Sequence, residues 1–213
     1  QLWHASGSIK RFGLEEASIK VCSGRSKKRF LKGCSRFNKV VVGSDSMAKY
    51  LIQAFNVKGE SILRTGIPRT DFFYDTALKE SVFNQVEQGN ELLWNKKVVL
   101  YAPTYREHDN KTLTLQLELD RMKKKLGDEY IVVLRLHPTI KMNIDYSKMY
   151  PGFVVDYSSE IHDIKELMLI SDYLITDYSS VIYEYALLKK PMIFYPYDLE
   201  TYKVDRGLWS SYE

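Results

Sequence analysis

Ser179 and Ser180 stand side by side between a short apolar run, 173–176, and a helical pattern over 179–189. In that setting two hydroxyls and the open N–H groups of a helix start face one point past a strand end. An α/β protein binds phosphate at such a point. Glu184 follows Ser180 by four residues and shares its helix face, where a carboxylate reaches the hydroxyls of a ribose. The pair reads as a site for a nucleotide diphosphate rather than a bare phosphate. Asp177 sits where it can orient the serine loop.

Three further groups end apolar runs. His4 precedes a Gly/Ser turn and a basic residue, Gly7-Ser8-Ile9-Lys10. A histidine titrates near neutrality and can serve as general base toward a hydroxyl, although the same residue can merely cap a turn. His137 closes the run 130–136, where a donor N–H neutralises charge on a phosphoryl group; the competing reading is a buried histidine satisfied by backbone. Arg135 adds a cation, and strand alternation would aim it with His137. Thr104 and Arg106 follow the run 98–101 and belong to the same sheet edge. His108 and His162 lie in polar contexts and read as surface residues. There is no dinucleotide fingerprint, phosphate-loop lysine motif, nucleophile elbow or zinc spacing. Asp163, Asp172 and Asp177 leave Mg²⁺ open, but nothing in the sequence requires a metal or a cofactor.

The elements that position these groups alternate. Apolar runs at 39–43, 62–65, 98–101, 130–136, 153–155, 173–176 and 192–195 are separated by helical patterns, as at Met47, Tyr50, Leu51, Ala54 and Phe55 behind an N-cap at Ser44. Continuous apolar strands predict a parallel sheet covered on both faces. Residues 96–213 hold five such strands, nearly a complete doubly wound domain. Residues 1–75 hold only two or three, too few for a matching domain, with 76–94 read as a weakly helical linker. The chain opens on Gln1 and in mid-element, which predicts a fragment whose first domain is incomplete at its N-terminal side.

The 213 residues are 45% hydrophobic and 27% charged, an ordinary globular balance. No run approaches the length of a bilayer span, and no signal peptide is visible. Cys22 and Cys34 read as free thiols of a cytoplasmic protein. The net charge is only +4, yet Arg25, Lys27, Lys28, Arg29, Lys32, Arg36 and Lys39 crowd one segment. Such a patch suits an anionic membrane surface, an acidic substrate or a solvated face. Nucleic acid is the weakest partner, because aromatics to stack on bases are few and no motif is present.

The order Trp-His-Ala…Gly…Lys…Phe-Gly, Thr-Gly-Ile-Pro-Arg-Thr-Asp, Tyr-Ala-Pro-Thr-Tyr-Arg, Arg-Leu-His-Pro and Thr-Asp-Tyr-Ser-Ser…Glu-Tyr-Ala…Lys-Lys-Pro resembles the CDP-glycerol glycerophosphotransferase family, which builds wall teichoic acids in Gram-positive bacteria. The similarity runs from Trp3 to about Tyr212. It implies a GT-B enzyme of two Rossmann-like domains with an active site in the cleft between them. Residues 1–90 would be the acceptor side plus linker, with His4 as catalytic base and Gly7 and Lys10 nearby. Residues 91–213 would hold CDP-glycerol: His137 at its phosphates, Ser179, Ser180, Thr104, Arg106 and Arg135 on the diphosphate, and Glu184 on the ribose. An acceptor hydroxyl would attack phosphorus and CMP would leave. Ala5-Ser6-Gly7 is closer to the primase branch than to the polymerases' Trp-His-Gly-Thr-Pro. That branch implies a lipid-linked disaccharide acceptor and peripheral attachment to the cytoplasmic face of the cell membrane. A polymerase of glycerol or ribitol phosphate, and a GT-B glycosyltransferase using a nucleotide sugar, are the alternatives. The family's arginine three residues past the second histidine is Ile140 here, followed by Lys141.

Overall fold

Seven short strands in two all-parallel sheets carry the fold of the computed structural model, which describes residues 1–20, 22–106, 115–137, 143–158 and 163–212. His108, Ile140, Lys141 and His162 fall outside the described residues. The chain forms two compact units, one made of 1–71 with 198–213, the other of 72–197. The units divide earlier than the 90/91 boundary expected from the sequence, and the last residues return to the first.

In the first unit, β1 (Val40–Val41) pairs in parallel with β2 (Ile62–Leu63), and Leu2 bridges to Val41 on the other side. Ser44 ends the turn after β1 and caps helix Asp45–Phe55, accepting from the Met47 N–H at 3.1 Å. Met47, Ala48, Leu51, Ala54 and Phe55 of that helix are buried against Val40, Val42 and Ile62. The C-terminal segment closes on the same core. Trp209 stacks on Tyr50 at 4.5 Å, the Trp209 N–H donates to the Ile9 carbonyl, and the Arg11 N–H donates to the Gly207 carbonyl.

The second unit holds β3 (Lys97–Tyr101), β4 (Tyr130–Leu134), β5 (Val154–Asp156), β6 (Tyr173–Thr176) and β7 (Met192–Phe194), in spatial order β5-β4-β3-β6-β7. This is the doubly wound order, with its topological switch between β3 and β6. Both faces of the central strands are covered, which explains why β3 beyond Lys97 and β4 beyond Tyr130 are apolar and buried at every position. Val98, Leu100, Ile131, Val133 and Leu174 pack on one side with Val82, Val86 and Leu167. Val99, Tyr101, Val132, Leu134 and Ile175 pack on the other with Leu119, Tyr146 and Phe153.

The stretch read as a linker is helix Thr76–Gly89 followed by Leu92–Asn95, and it belongs to this core through Val82, Val86 and Leu93. Its apolar stripe is thin: Val82 and Val86 are buried, while Leu78 is exposed. The pattern read as a helix over 179–189 is shorter, Val181–Tyr185 with a 3-10 turn Ala186–Leu188, and ends at Lys189 with φ 55°.

Candidate active site

At the switch, the loops leaving β3 and β6 are tied together by backbone and side chain. The Ala102 N–H donates to the Ile175 carbonyl at 3.0 Å, and Thr176 Oγ1 donates back to the Ala102 carbonyl at 2.6 Å. Asp177, 2% exposed, is the centre of the junction. Its Oδ1 accepts from the N–H groups of Thr104 at 2.8 Å and Tyr178 at 2.6 Å, and its Oδ2 accepts from Arg106 Nη2 at 2.7 Å. Arg106 Nη1 also donates to the Thr104 carbonyl at 2.6 Å. The guanidinium lies 5.1 Å from the Tyr178 ring centre and 5.3 Å from that of Tyr197. Burial, with Asp177 next in weight, pushes the Tyr101 phenol above its ordinary range and keeps it neutral.

The same sheet edge carries the other second-unit groups. Ser179 and Ser180 are half-buried at the helix start, and Ser180 makes no capping hydrogen bond through its side chain. The Val181 N–H reaches Ser179 Oγ only at 3.4 Å. Glu184 is buried one turn on. His137 is exposed, with its ring centre 5.3 Å from that of Tyr105, so the reading of a buried histidine does not hold. Arg135 is turned toward the β5 loop instead, donating from Nη1 to the carbonyls of Tyr157 and Ser158. Regular strand ends at Leu134, so alternation no longer governs 135–137, and the expected common direction of Arg135 and His137 lacks its basis. The Thr104 hydroxyl is buried and has no hydrogen-bond partner among the described residues.

His4, Gly7 and Lys10 belong to the first unit. His4 follows the Leu2 bridge and is exposed, its ring 4.4 Å from the Trp3 ring, which stacks in turn on Phe12 at 5.1 Å. Nearby protein lowers the His4 pKa below its ordinary 6.5, chiefly by taking water from the ring and then through the charges of Lys10 and Arg69. A neutral imidazole reachable from solvent is the form a general base needs. Gly7 is buried, and Lys10 bridges to Leu208 of the returning segment.

Asp172 and Asp163 have structural roles. Asp172 Oδ2 accepts from the Val98 N–H at 2.7 Å, and Asp163 caps helix Ile164–Ile170. Among the described residues no three His, Cys, Asp or Glu side chains gather as a metal group, and no helix is long and apolar enough to cross a membrane. The basic segment forms helix Gly24–Cys34, with Arg25, Lys27, Lys28, Arg29 and Lys32 all exposed. Sequence reasoning passed over Tyr105, Tyr178 and Tyr197; their only signal was an aromatic beside each candidate loop. Lys190 of the Lys-Lys-Pro motif is also structural: its ammonium, half-buried, donates to the carbonyls of Leu169 at 2.6 Å and Ser171 at 2.7 Å, tying down the end of helix Ile164–Ile170.

Residues 1–213 match the family model described as CDP-Glycerol:Poly(glycerophosphate) glycerophosphotransferase. The chain is 40% identical over its whole length to a teichoic acid poly(ribitol-phosphate) polymerase of Bacillus spizizenii, covering 34% of that protein. It is 38% identical to the teichoic acid glycerol-phosphate primase of the same organism, again over its whole length, covering 54% of the relative. Among solved structures, a histidine-to-asparagine variant of the wall teichoic acid polymerase TagF superposes with a TM-score of 0.86 at 33% identity, over 100% of this chain and 53% of that one. The chain thus spans from about a third to about half the length of these relatives.

Proposed function

This chain belongs to the CDP-glycerol:poly(glycerophosphate) glycerophosphotransferase family, and from that premise we propose that the whole protein transfers glycerol phosphate from CDP-glycerol to a hydroxyl of a lipid-linked disaccharide, releasing CMP. The observation that carries the reading is the junction at the β3/β6 switch, where Asp177 joins two candidate phosphate loops inside a chain matched by the family from end to end. On this reading the units are the two Rossmann-type halves of a GT-B enzyme. Residues of the second unit hold the donor: Ser179 and Ser180 at the diphosphate, with Thr104 beside them, Glu184 toward the ribose, and His137 at the phosphorus under attack. His4 of the first unit takes the proton of the acceptor hydroxyl, with Gly7 and Lys10 on the acceptor side. Phosphoryl transfer rests mainly on positioning and charge stabilisation, so histidine donors and backbone amides suffice as machinery on the protein's side.

Primase action is favoured by Ala5-Ser6-Gly7; the polymerase reading is favoured by the 40% identity to a polymerase, against 38% to a primase. Full-length protein incubated with CDP-glycerol, CDP-ribitol or a UDP-sugar, each with a disaccharide-lipid analogue, separates the readings by mass spectrometry. The expected result is CMP release and a single added glycerol phosphate. Repeated addition makes the protein a polymerase, UDP release makes it a glycosyltransferase, and no turnover leaves a nucleotide-binding module.

The exposed cations of helix Gly24–Cys34 support peripheral attachment to an anionic membrane surface on the cytoplasmic face. Each contributes about 1 kcal/mol near such a surface. Neutralising Lys27, Lys28 and Lys32 together therefore weakens sedimentation with phosphatidylglycerol vesicles about 100-fold. Binding that ignores both the substitutions and added salt would remove this route.

A further inference from the structure

We propose that Arg106 is a positioning residue that sets the donor loops rather than a ligand of the donor phosphates; the proposal rests on the donor reading above. By residue type, an arginine past a strand end is a phosphate binder. The geometry assigns it other work. Its guanidinium joins three loops at the sheet edge: its own after β3 through the Thr104 carbonyl, the β6 loop through Asp177 and Tyr178, and the β7 loop through the Tyr197 ring. Both charged partners are withdrawn from water, with Arg106 8% and Asp177 2% exposed. Swinging the guanidinium onto a phosphate would strip a buried carboxylate of its counter-ion, a change that is strongly unfavourable. Asp177 in turn orients the N–H groups of Thr104 and Tyr178, so the shape of the β3 and β6 loops depends on one ion pair. A planar fork serves two acceptors between two rings, and a lysine ammonium cannot reproduce that arrangement.

The discriminating variant is Arg106→Lys in the full-length protein. A phosphate ligand would be largely rescued by lysine, which binds phosphate well as a point charge. A positioning residue is not rescued, and kcat/KM for CDP-glycerol falls about 10- to 100-fold. Amide hydrogen exchange at Thr104 and Tyr178 accelerates in the same variant without donor present. Arg106→Lys combined with Asp177→Asn loses no more activity than the worse single variant, because both act through one junction. Near-wild-type kcat/KM in Arg106→Lys, or additive losses in the double variant, overturns the proposal. If the unmutated protein releases no CMP from CDP-glycerol, the donor reading fails on its own. The junction is then judged by exchange alone, and unchanged protection of both amides in Arg106→Lys refutes it.

Discussion

With His4 as the proposed base, alanine there lowers the proposed glycerol-phosphate transfer by about 1,000-fold in the full-length protein while leaving the KM for CDP-glycerol near its original value. Loss of a general base removes a contact made to the acceptor proton as the bond forms, so the effect falls on kcat. The His4 environment adds a second signature. Its pKa is lowered first by neighbouring protein that takes water from the ring and then by Lys10 and Arg69. A base with a lowered pKa stays deprotonated further into the acid range, so the acidic limb of kcat/KM lies below the ordinary histidine value of 6.5. Removing a neighbouring cation, as in Arg69→Gln, raises that pKa and moves the limb upward. Activity at pH 6 then falls while activity at pH 8 is retained. A pH profile that keeps its acidic limb in His4→Ala would take the base role away from this residue.

Gly13→Ala unfolds the first unit more readily than any surface substitution, by about 3 kcal/mol. Gly13 opens a 3-10 turn with φ +60°, and a Cβ there would lie 2.5 Å from the Ala54 carbonyl oxygen. Ala54 is fully buried in helix Asp45–Phe55, so neither the backbone oxygen nor its helix can move aside. Gly33 is the internal comparison. It lies inside helix Gly24–Cys34 with no atom near its missing Cβ, and Gly33→Ala adds up to about 1 kcal/mol through helix propensity. Urea unfolding followed by circular dichroism reads both; equal midpoints for the two variants would contradict the close approach.

Much of this architecture is visible in the residues themselves. The Val-rich runs at β3 and β4 can only be strands buried on both faces, and Ser44 with its periodic followers can only be a capped helix. The chemistry-bearing residue types at the β3, β4 and β6 ends are equally legible, because strand ends in a parallel sheet share one edge. What stays hidden is partnership. A sequence shows that Arg106 and Asp177 carry opposite charges, but not that seventy residues of separation close to a 2.7 Å ion pair. Arg135 looks like a second phosphate cation until the carbonyls of the β5 loop are seen to hold it. The helix Thr76–Gly89 is hard to place because Val82 and Val86 form a stripe too thin to announce a core. The return of Trp209 to the first unit has no local signature, since any apolar aromatic suits either core.

That return has a consequence for how the protein is made. The segment 198–213 packs in one unit with residues 1–71, and the entire other unit is synthesised in between. At ribosomal speeds of about 5–20 residues per second, the early half waits on the order of ten seconds before Gly207 and Trp209 can join it. The second unit, contiguous in sequence, is free to fold as soon as it emerges. The part of the chain that carries His4 is therefore translated before the second unit, yet it is joined by 198–213 only after that unit has been made. During that interval Phe12 and Tyr50 lack the Trp209 ring that covers them in the finished protein.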